Sequence, residues 1–447
     1  MKRRSGSRSR AEQQLQVLMD KARKMEQGGD LEGLLITELR ELEKLIYEEA
    51  VAERESASAA CEADFPPPVC RQCDAQATMR KSGYRPRTIR TLAGEVHYER
   101  TVYECPVCRC SFSWRDWEMG AFVGERLTRG LVRKVAYASA LGSYSTAHQM
   151  LGEFCAVPVS RAEFARVVDQ EGDRLEHRQR RREELYLRSV SPQSPAPAPE
   201  KRCERLVLEA DATCVLTVAG EEHKSVYCGV AFDLADRGRD AGKRPFLAHK
   251  RYTASAEDMA DFGQRLKALA HRLGLRQSAQ VCFLADGAHC LWRWAKEHLP
   301  PNARLIQDFW HVMEHLAGLA QDMFGQAWPE HLARWEQLLR ASRVADIIAE
   351  LKRSALKRRG QVQKRLKQEI GYLENGRERM DYARYQQEGW PIGSGAVEGA
   401  CKHLIKERFC VTGAHWRRDN ISKLLAIRQS IFNDEWESDW QHRRVAA

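Results

Sequence analysis

The stretch Leu206–Leu216, LVLEADATCVL, sets two acidic residues in an otherwise apolar run, and its reading decides the fold. The apolar and β-branched content predicts a strand, a setting in which Asp is disfavoured, so the acids need a reason to be there. Side chains two apart share a face of a strand. Glu209 and Asp211 therefore point the same way, and either could serve as a ligand; an Asp at the strand end exposed to solvent is the plain alternative.

Working outward, Ser225–Leu234 reads as a second strand, a third falls around Phe246–Lys250, a helix follows over Ala256–Leu273, and Gln280–Leu284 is a buried strand. Three strands and then alternating helix and strand is the order of a ribonuclease H-like α/β sheet, and it also suits other α/β folds. Asp286 follows the apolar run VCFLA and precedes Gly287. That puts a carboxylate at the C-terminal end of a buried strand, where α/β sheets keep their sites, although Asp-Gly is also ordinary turn chemistry. In PIGSGAVEGACKHLIKE (391–407) a helix begins near Ser394 or Gly395, with Glu398 in its first turn and Lys402 and Lys406 at successive i+4 positions. A dipole-favoured Glu with helix ion pairs is the plain reading; a helix-borne carboxylate beside DNA-holding lysines is the functional one. Three acids in the order strand, strand end, helix could bind two divalent ions, and oxygen-only ligands select Mg²⁺ or Mn²⁺ over zinc.

Between these elements, Asp308 and His311 form a DxxH at a strand-to-helix boundary, either an auxiliary pair that orients a base or phosphate or a helix N-cap with a packed His. Trp310 and Trp390 suit base stacking or the core. Residues 312–388 read as a helical insertion with basic faces at Lys352–Arg359 and Lys364–Lys367. The core is thus split into 201–311 and 389–447.

Upstream, SVSPQSPAPAPE (189–200) is an extended spacer and the main expected boundary. Residues 121–188 are helical, with a new helix opening at Ser160 or Arg161 after a short break, as in a helix-turn-helix. Residues 66–120 hold Cys70-Arg-Gln-Cys73 and Cys105-Pro-Val-Cys108, two CxxC pairs around a hairpin that turns at Ala93–Gly94. Each pair offers two thiolates to a tetrahedral Zn²⁺, which makes a zinc ribbon, with Cys110 as a substitute ligand and Cys61 a bystander. A closed four-thiolate site serves folding, not catalysis. Residues 1–65 are a basic tail and one helical pattern from about Ala11 to Ala60, with leucines at three- and four-residue spacing.

The 447 residues imply several domains, and the 72 Lys and Arg against 62 acids, formally +10, suit a polyanionic partner. No apolar run is long enough for a membrane helix and the basic start leads into polar sequence, so a soluble cytoplasmic protein is expected.

The segments LADGA (284–288), DFWHVMEHL (308–316) and PIGSGAVEGACKHLIKERF (391–409) resemble those of bacterial insertion-sequence transposases of the Kra-type, Mutator-like family, over most of the chain from the ribbon to about Ser430. The resemblance implies a ribonuclease H-like catalytic core interrupted by a helical insertion, with Asp211, Asp286 and Glu398 as a DDE triad. Such proteins often have Gly after the first Asp; Ala212 stands here, which leaves Glu209 as a rival. The activity so implied is metal-dependent DNA cleavage and strand transfer by a DNA-bound dimer. Two alternatives are a zinc-ribbon DNA-binding regulator with an inactive core and a metal-dependent nuclease that does not join strands.

Overall fold

A computed structural model describes residues 9–24, 30–61, 67–70, 76–118, 120–121, 126–155, 157–188, 197–221, 224–242 and 245–443. The chain is mixed α+β, 58% helical and 18% strand. It divides into two compact units, Met1–Val167 with His442–Ala447, and Val168–Gln441.

In the first unit the N-terminal leucine periodicity forms two helices in place of the single one expected, α1 (Arg10–Arg23) and α2 (Leu31–Cys61). The adjacent glycines Gly28 and Gly29 lie between them, and each costs a helix about 1 kcal/mol relative to Ala. Ser9 and Glu12 cap α1 reciprocally. Lys21 reaches Glu38 at 2.5 Å and the Ala11 N–H donates to Glu49 at 3.1 Å, so the two helices run antiparallel. Strands β1 (Arg80–Thr91) and β2 (Gly94–Glu104) form the expected hairpin, with Thr91 opposite Gly94 and the glycine at φ 113°. The short β3 (Ser111–Phe112) adds to β2. Helix α3 (Trp114–Glu118) carries Asp116, which is buried against the hydroxyl of Tyr98 at 2.7 Å and the guanidinium groups of Arg87 and Arg100. Three helices follow, α4 (Arg129–Leu141), α5 (Tyr144–Cys155) and α6 (Arg161–Leu187). Ser160 opens α6 as expected: its N–H donates to Glu163 at 2.9 Å and its hydroxyl accepts from the Glu163 N–H at 3.3 Å. The break before α6 is also tied to α5, because the His148 ring donates to the Val159 carbonyl at 2.8 Å.

The division between the units falls inside α6 and not at the Pro/Ala-rich segment, of which residues 189–196 lie outside the described residues. The cause is in the second half of the helix. Gln179 donates to the Ala426 carbonyl, Arg178 pairs with Asp439, and Arg180 with Asp261, all partners within the second unit.

The second unit is built on β4 (Arg205–Val215), the strand of the opening stretch. It pairs antiparallel with β5 (Lys224–Asp233) and parallel with β9 (Gln280–Ala285). A minor ribbon of β6 (Arg237–Arg239) and β7 (Pro245–Leu247) comes first, and β8 (Arg251–Ser255) then lines the outer edge of β5. The third sheet strand is thus β8, a few residues beyond the expected Phe246–Lys250, and Phe246 itself is half exposed. With β10 (Arg304–Gln307) beside β9, the spatial order is β10-β9-β4-β5-β8.

Alternation along β4 separates structure from chemistry. Leu206, Leu208 and Ala210 enter a core with Phe262, Leu266 and Leu269 of α7 (Met259–Arg272) and Leu291, Trp292 and Trp294 of α8 (His289–His298). The opposite face, with Glu209 and Asp211, is turned toward the last third of the unit. Before that comes the helical insertion, α9 (Phe309–Phe324), α10 (Trp328–Arg340), α11 (Val344–Lys357), α12 (Gly360–Gly376) and α13 (Tyr382–Gln387). After it lie α14 (Gly395–Ala400), a π-helical turn over Cys401–Lys406, α15 (Glu407–Phe409), α16 (Arg418–Phe432) and α17 (Trp436–Arg443). Among the described residues no helix is long and apolar enough to cross a membrane.

β8 is an edge strand, and its free backbone groups are a liability unless covered. Asn433, at the end of α16, covers them as a neighbouring strand would: its carbonyl accepts from the Tyr252 N–H at 2.7 Å and its amide donates to the Tyr252 carbonyl at 2.9 Å. Gln429 accepts from Ala254 one turn earlier. Asn433→Ala should destabilise the protein by about 1–3 kcal/mol, the cost of two lost, partly buried hydrogen bonds. A lower urea midpoint at unchanged slope checks this.

Candidate active site and metal centre

The register of the sheet brings the first two acids together. Ala210 of β4 partners Ala285 of β9, so Asp211 and Asp286 are the next residues on two neighbouring parallel strands, whose backbones lie about 4.8 Å apart. Asp211 is partly buried and its carboxyl is pushed above the ordinary range, chiefly by burial and further by the charge of Asp286. Glu398, on α14, is raised as well, first by burial and then by the charges of Asp308 and Asp211. Asp211 thus feels the charge of Asp286, and Glu398 that of Asp211.

Glu209 does different work from Asp211. It is buried, and its carboxylate accepts the Val397 N–H at 2.8 Å, tying β4 to the start of α14. Burial pushes its pKa up to about 8. Asp308 is also buried and caps two segments at once: it accepts from the His311 N–H at 2.7 Å as the N-cap of α9, and from the Ser394 N–H at 2.5 Å. Two buried carboxyl groups thereby accept hydrogen bonds from N–H groups at helix starts, where backbone donors lack a full set of partners within the helix. Glu209 is thus fully buried and spent on backbone, while Asp211 is only partly buried.

Two further expectations change in detail. An α-helical spacing would set Lys402 and Lys406 in line with Glu398, but the π-turn over Cys401–Lys406 widens the helix there, a distortion that recurs at functional sites. Both lysines are exposed, and the charge of Lys406 reaches Asp211. Of the DxxH pair, Asp308 is the N-cap, while His311 is partly exposed, 3.7 Å from Glu314 and edge-on to the ring of His315. Trp390 is buried under the guanidinium of Arg205, whereas Trp310 is half exposed and lies over Gly393, where any side chain would meet its indole.

Sequence reasoning missed two neighbours of the acids. The buried Cys401 thiol donates to Asp211 at 3.6 Å, and the hydroxyl of Tyr372 donates to the backbone carbonyl of Asp286 at 3.1 Å. Cys401 sits one turn after Glu398, a spacing that offered a clue. Tyr372 lies mid-helix in the insertion, 86 residues from its partner, and carries no local signal.

In the first unit, Cys70, Cys105, Cys108 and Cys110 bring their sulfurs within 4.8 Å of one another, and they could hold a metal such as zinc. Among the described residues no other group of three or more potential ligands is as tightly drawn together. The Cys70 sulfur is 3.6 Å from that of Cys108 and 3.4 Å from that of Cys110. Tetrahedral thiolates about 2.3 Å from zinc lie about 3.8 Å apart, so the donor set fits. Cys110, the substitute, completes the set; Cys73 lies outside the described residues. Arg109, at φ 62°, turns the chain so that three of the four thiols come from CPVCRC. Backbone N–H groups of Cys108 and Val107 point at the Cys105 sulfur and hold its thiol below the ordinary value.

No protein-family model and no curated protein matches this chain.

Two outcomes are expected. Metal analysis should find about one zinc per chain, and both Cys105→Ser and Cys110→Ser should lower it severalfold and loosen the ribbon. For Glu209, the folded carboxyl keeps its proton up to about 8, against an ordinary value of 4.5. The folded state therefore binds more protons in that window, and this contribution to stability is full below about 4.5 and is lost as pH rises through 8. Glu209→Gln should flatten the stability–pH curve across that window and leave the fold intact, while Glu209→Ala should cost about 1–3 kcal/mol; urea melts at several pH values separate the three proteins.

Proposed function

We propose that the chain is a DDE-type DNA transposase of an insertion sequence, cutting and joining DNA at Asp211, Asp286 and Glu398. One observation carries the reading: two carboxylates follow a paired position on adjacent parallel strands, and a third stands on a helix whose start is clamped to the same sheet. The strand order, with a central β4 flanked by antiparallel β5 and parallel β9, supports a ribonuclease H-like core. The resemblance of 284–288, 308–316 and 391–409 to Kra-type transposases supports strand transfer over simple cleavage.

Asp211, Asp286 and Glu398 would hold Mg²⁺ or Mn²⁺; burial raises Asp211 and Glu398 most, and the added repulsion from neighbouring acids is what a divalent cation would relieve. When bound, such ions activate a water or 3′-hydroxyl and stabilise the leaving oxygen. The protein's own part is placement. Glu209 and Asp308 fix the helix of Glu398, Tyr372 steadies the backbone at Asp286, and Lys406 offers a cation beside the acids for a DNA phosphate. The thiol cluster holds the ribbon, which with α4–α6 docks DNA, and a dimer acting in the cytoplasm brings two ends together.

The test pairs a gel shift with a cleavage reaction on duplexes carrying the repeats that flank the gene. Glu398→Gln should lower cleavage by on the order of a hundredfold or more, since a neutral amide cannot replace a charged ligand, and leave binding nearly unchanged. Wild-type cleavage by Glu398→Gln would exclude the triad. Binding by the wild-type chain without cleavage under any divalent ion would make it a regulator.

A further inference from the structure

Helices α11 and α12 form an antiparallel hairpin at the far end of the insertion. Lys352 pairs with Glu374 at 2.6 Å and the Gln363 amide donates to the Ala355 carbonyl at 3.0 Å, while Gly360, at φ 71°, makes the turn. From residue 351 to 368 there are eight Lys and Arg and no Asp or Glu. Three of the eight have partners: Lys352, Arg365 with Asp322, and Arg358 with the Met323 carbonyl. The other five, Arg353, Lys357, Arg359, Lys364 and Lys367, are exposed and make no ion pair or hydrogen bond among the described residues. Leu356, beside them, is 87% exposed.

An ordinary solvated helix face intersperses both signs, because i, i+4 pairs of opposite charge stabilise it and like charges repel. This corner does the reverse. A row of phosphates would remove that repulsion and release its counterions. The placement supplies a direction. Helix α12 leads from the corner to Tyr372, whose hydroxyl holds the backbone of Asp286. Lys364 lies eight residues before Tyr372 and Arg359 thirteen, roughly 12 and 20 Å at 1.5 Å per residue. Phosphates along one strand of a duplex are about 3.4 Å apart, so that span corresponds to roughly four to six base pairs.

We propose that the α11–α12 corner is a docking site for the phosphate backbone of duplex DNA, several base pairs from the phosphate that the acids attack. The proposal rests on the reading of Asp211, Asp286 and Glu398 as a DNA-cleaving site, and the experiment keeps the two apart. The full chain with Arg353→Gln, Lys357→Gln, Arg359→Gln, Lys364→Gln and Lys367→Gln is compared with wild type for binding a labelled duplex across a salt series. A thermal melt verifies that the variant is folded. The expected result is affinity weaker by more than about tenfold, with the slope of log K against log salt reduced by up to about 4.5, close to 0.9 for each phosphate no longer neutralised. As a second measurement, Leu356→Cys carrying a photo-crosslinker should attach to the same duplex. An unchanged slope and affinity with no crosslink would overturn the proposal, even if the wild type cleaves DNA. The expected loss of binding in a chain that never cleaves would uphold the corner and refute the catalytic reading. Loss of binding to phosphatidylserine vesicles with DNA binding intact would overturn it in favour of a membrane surface.

Discussion

The helix that carries Glu398 starts in the open end of a sheet, and its N-terminal N–H groups must find acceptors in a place with little water. Glu209 and Asp308 provide them, one from the central strand and one from the loop after β10. Everything at the site hangs on that grip. It sets the position of Glu398 against Asp211, it joins the segment after the insertion to the segment before it, and through His311 it also fixes the start of α9. Both clamping acids are buried and used by backbone, whereas Asp211, two residues after Glu209 on the same strand, is only partly buried.

Much of this could be read from residues alone. The alternation of LVLEADATCVL put Glu209 and Asp211 on one face, and the apolar run before Asp286 put it at a strand end. Gly395 opens the helix of Glu398, and Ser160 with Glu163 opens α6. What was not legible has physical causes. The third strand lies beyond its expected place because β8 owes its edge to Asn433 and Gln429, some 180 residues away, and not to a strong apolar run of its own. The use of Glu209 as a backbone acceptor depends on burial, which strand periodicity does not report. Cys110 lies outside the CxxC pattern, and only the left-handed turn at Arg109 brings it to the other thiols. The π-turn has no sequence signature at all, and it alters the spacing from which the placement of Lys402 and Lys406 follows.

Cations on this chain fall into two kinds. Some are consumed inside the fold, as Arg265 is between Asp261, Glu176 and Glu183, or Arg272 between Glu200 and Glu435. These are buried and charge-compensated, and burying an unpaired charge would cost several kcal/mol. Others, at the α11–α12 corner, are exposed and uncompensated. The formal excess of ten positive charges is therefore not spread as a uniform background, and net charge alone would have missed where it can act.

The contact between Glu209 and Val397 spans 188 residues of chain. On a ribosome that distance becomes a waiting time. At roughly 5–20 residues per second, β4 is made about 10–40 s before the helix that its carboxylate must hold. The first compact unit, by contrast, closes almost wholly on residues before Val167. The ribbon and its neighbouring helices can thus fold while the acid site still lacks its third member, and a chain released early would possess the first without the second.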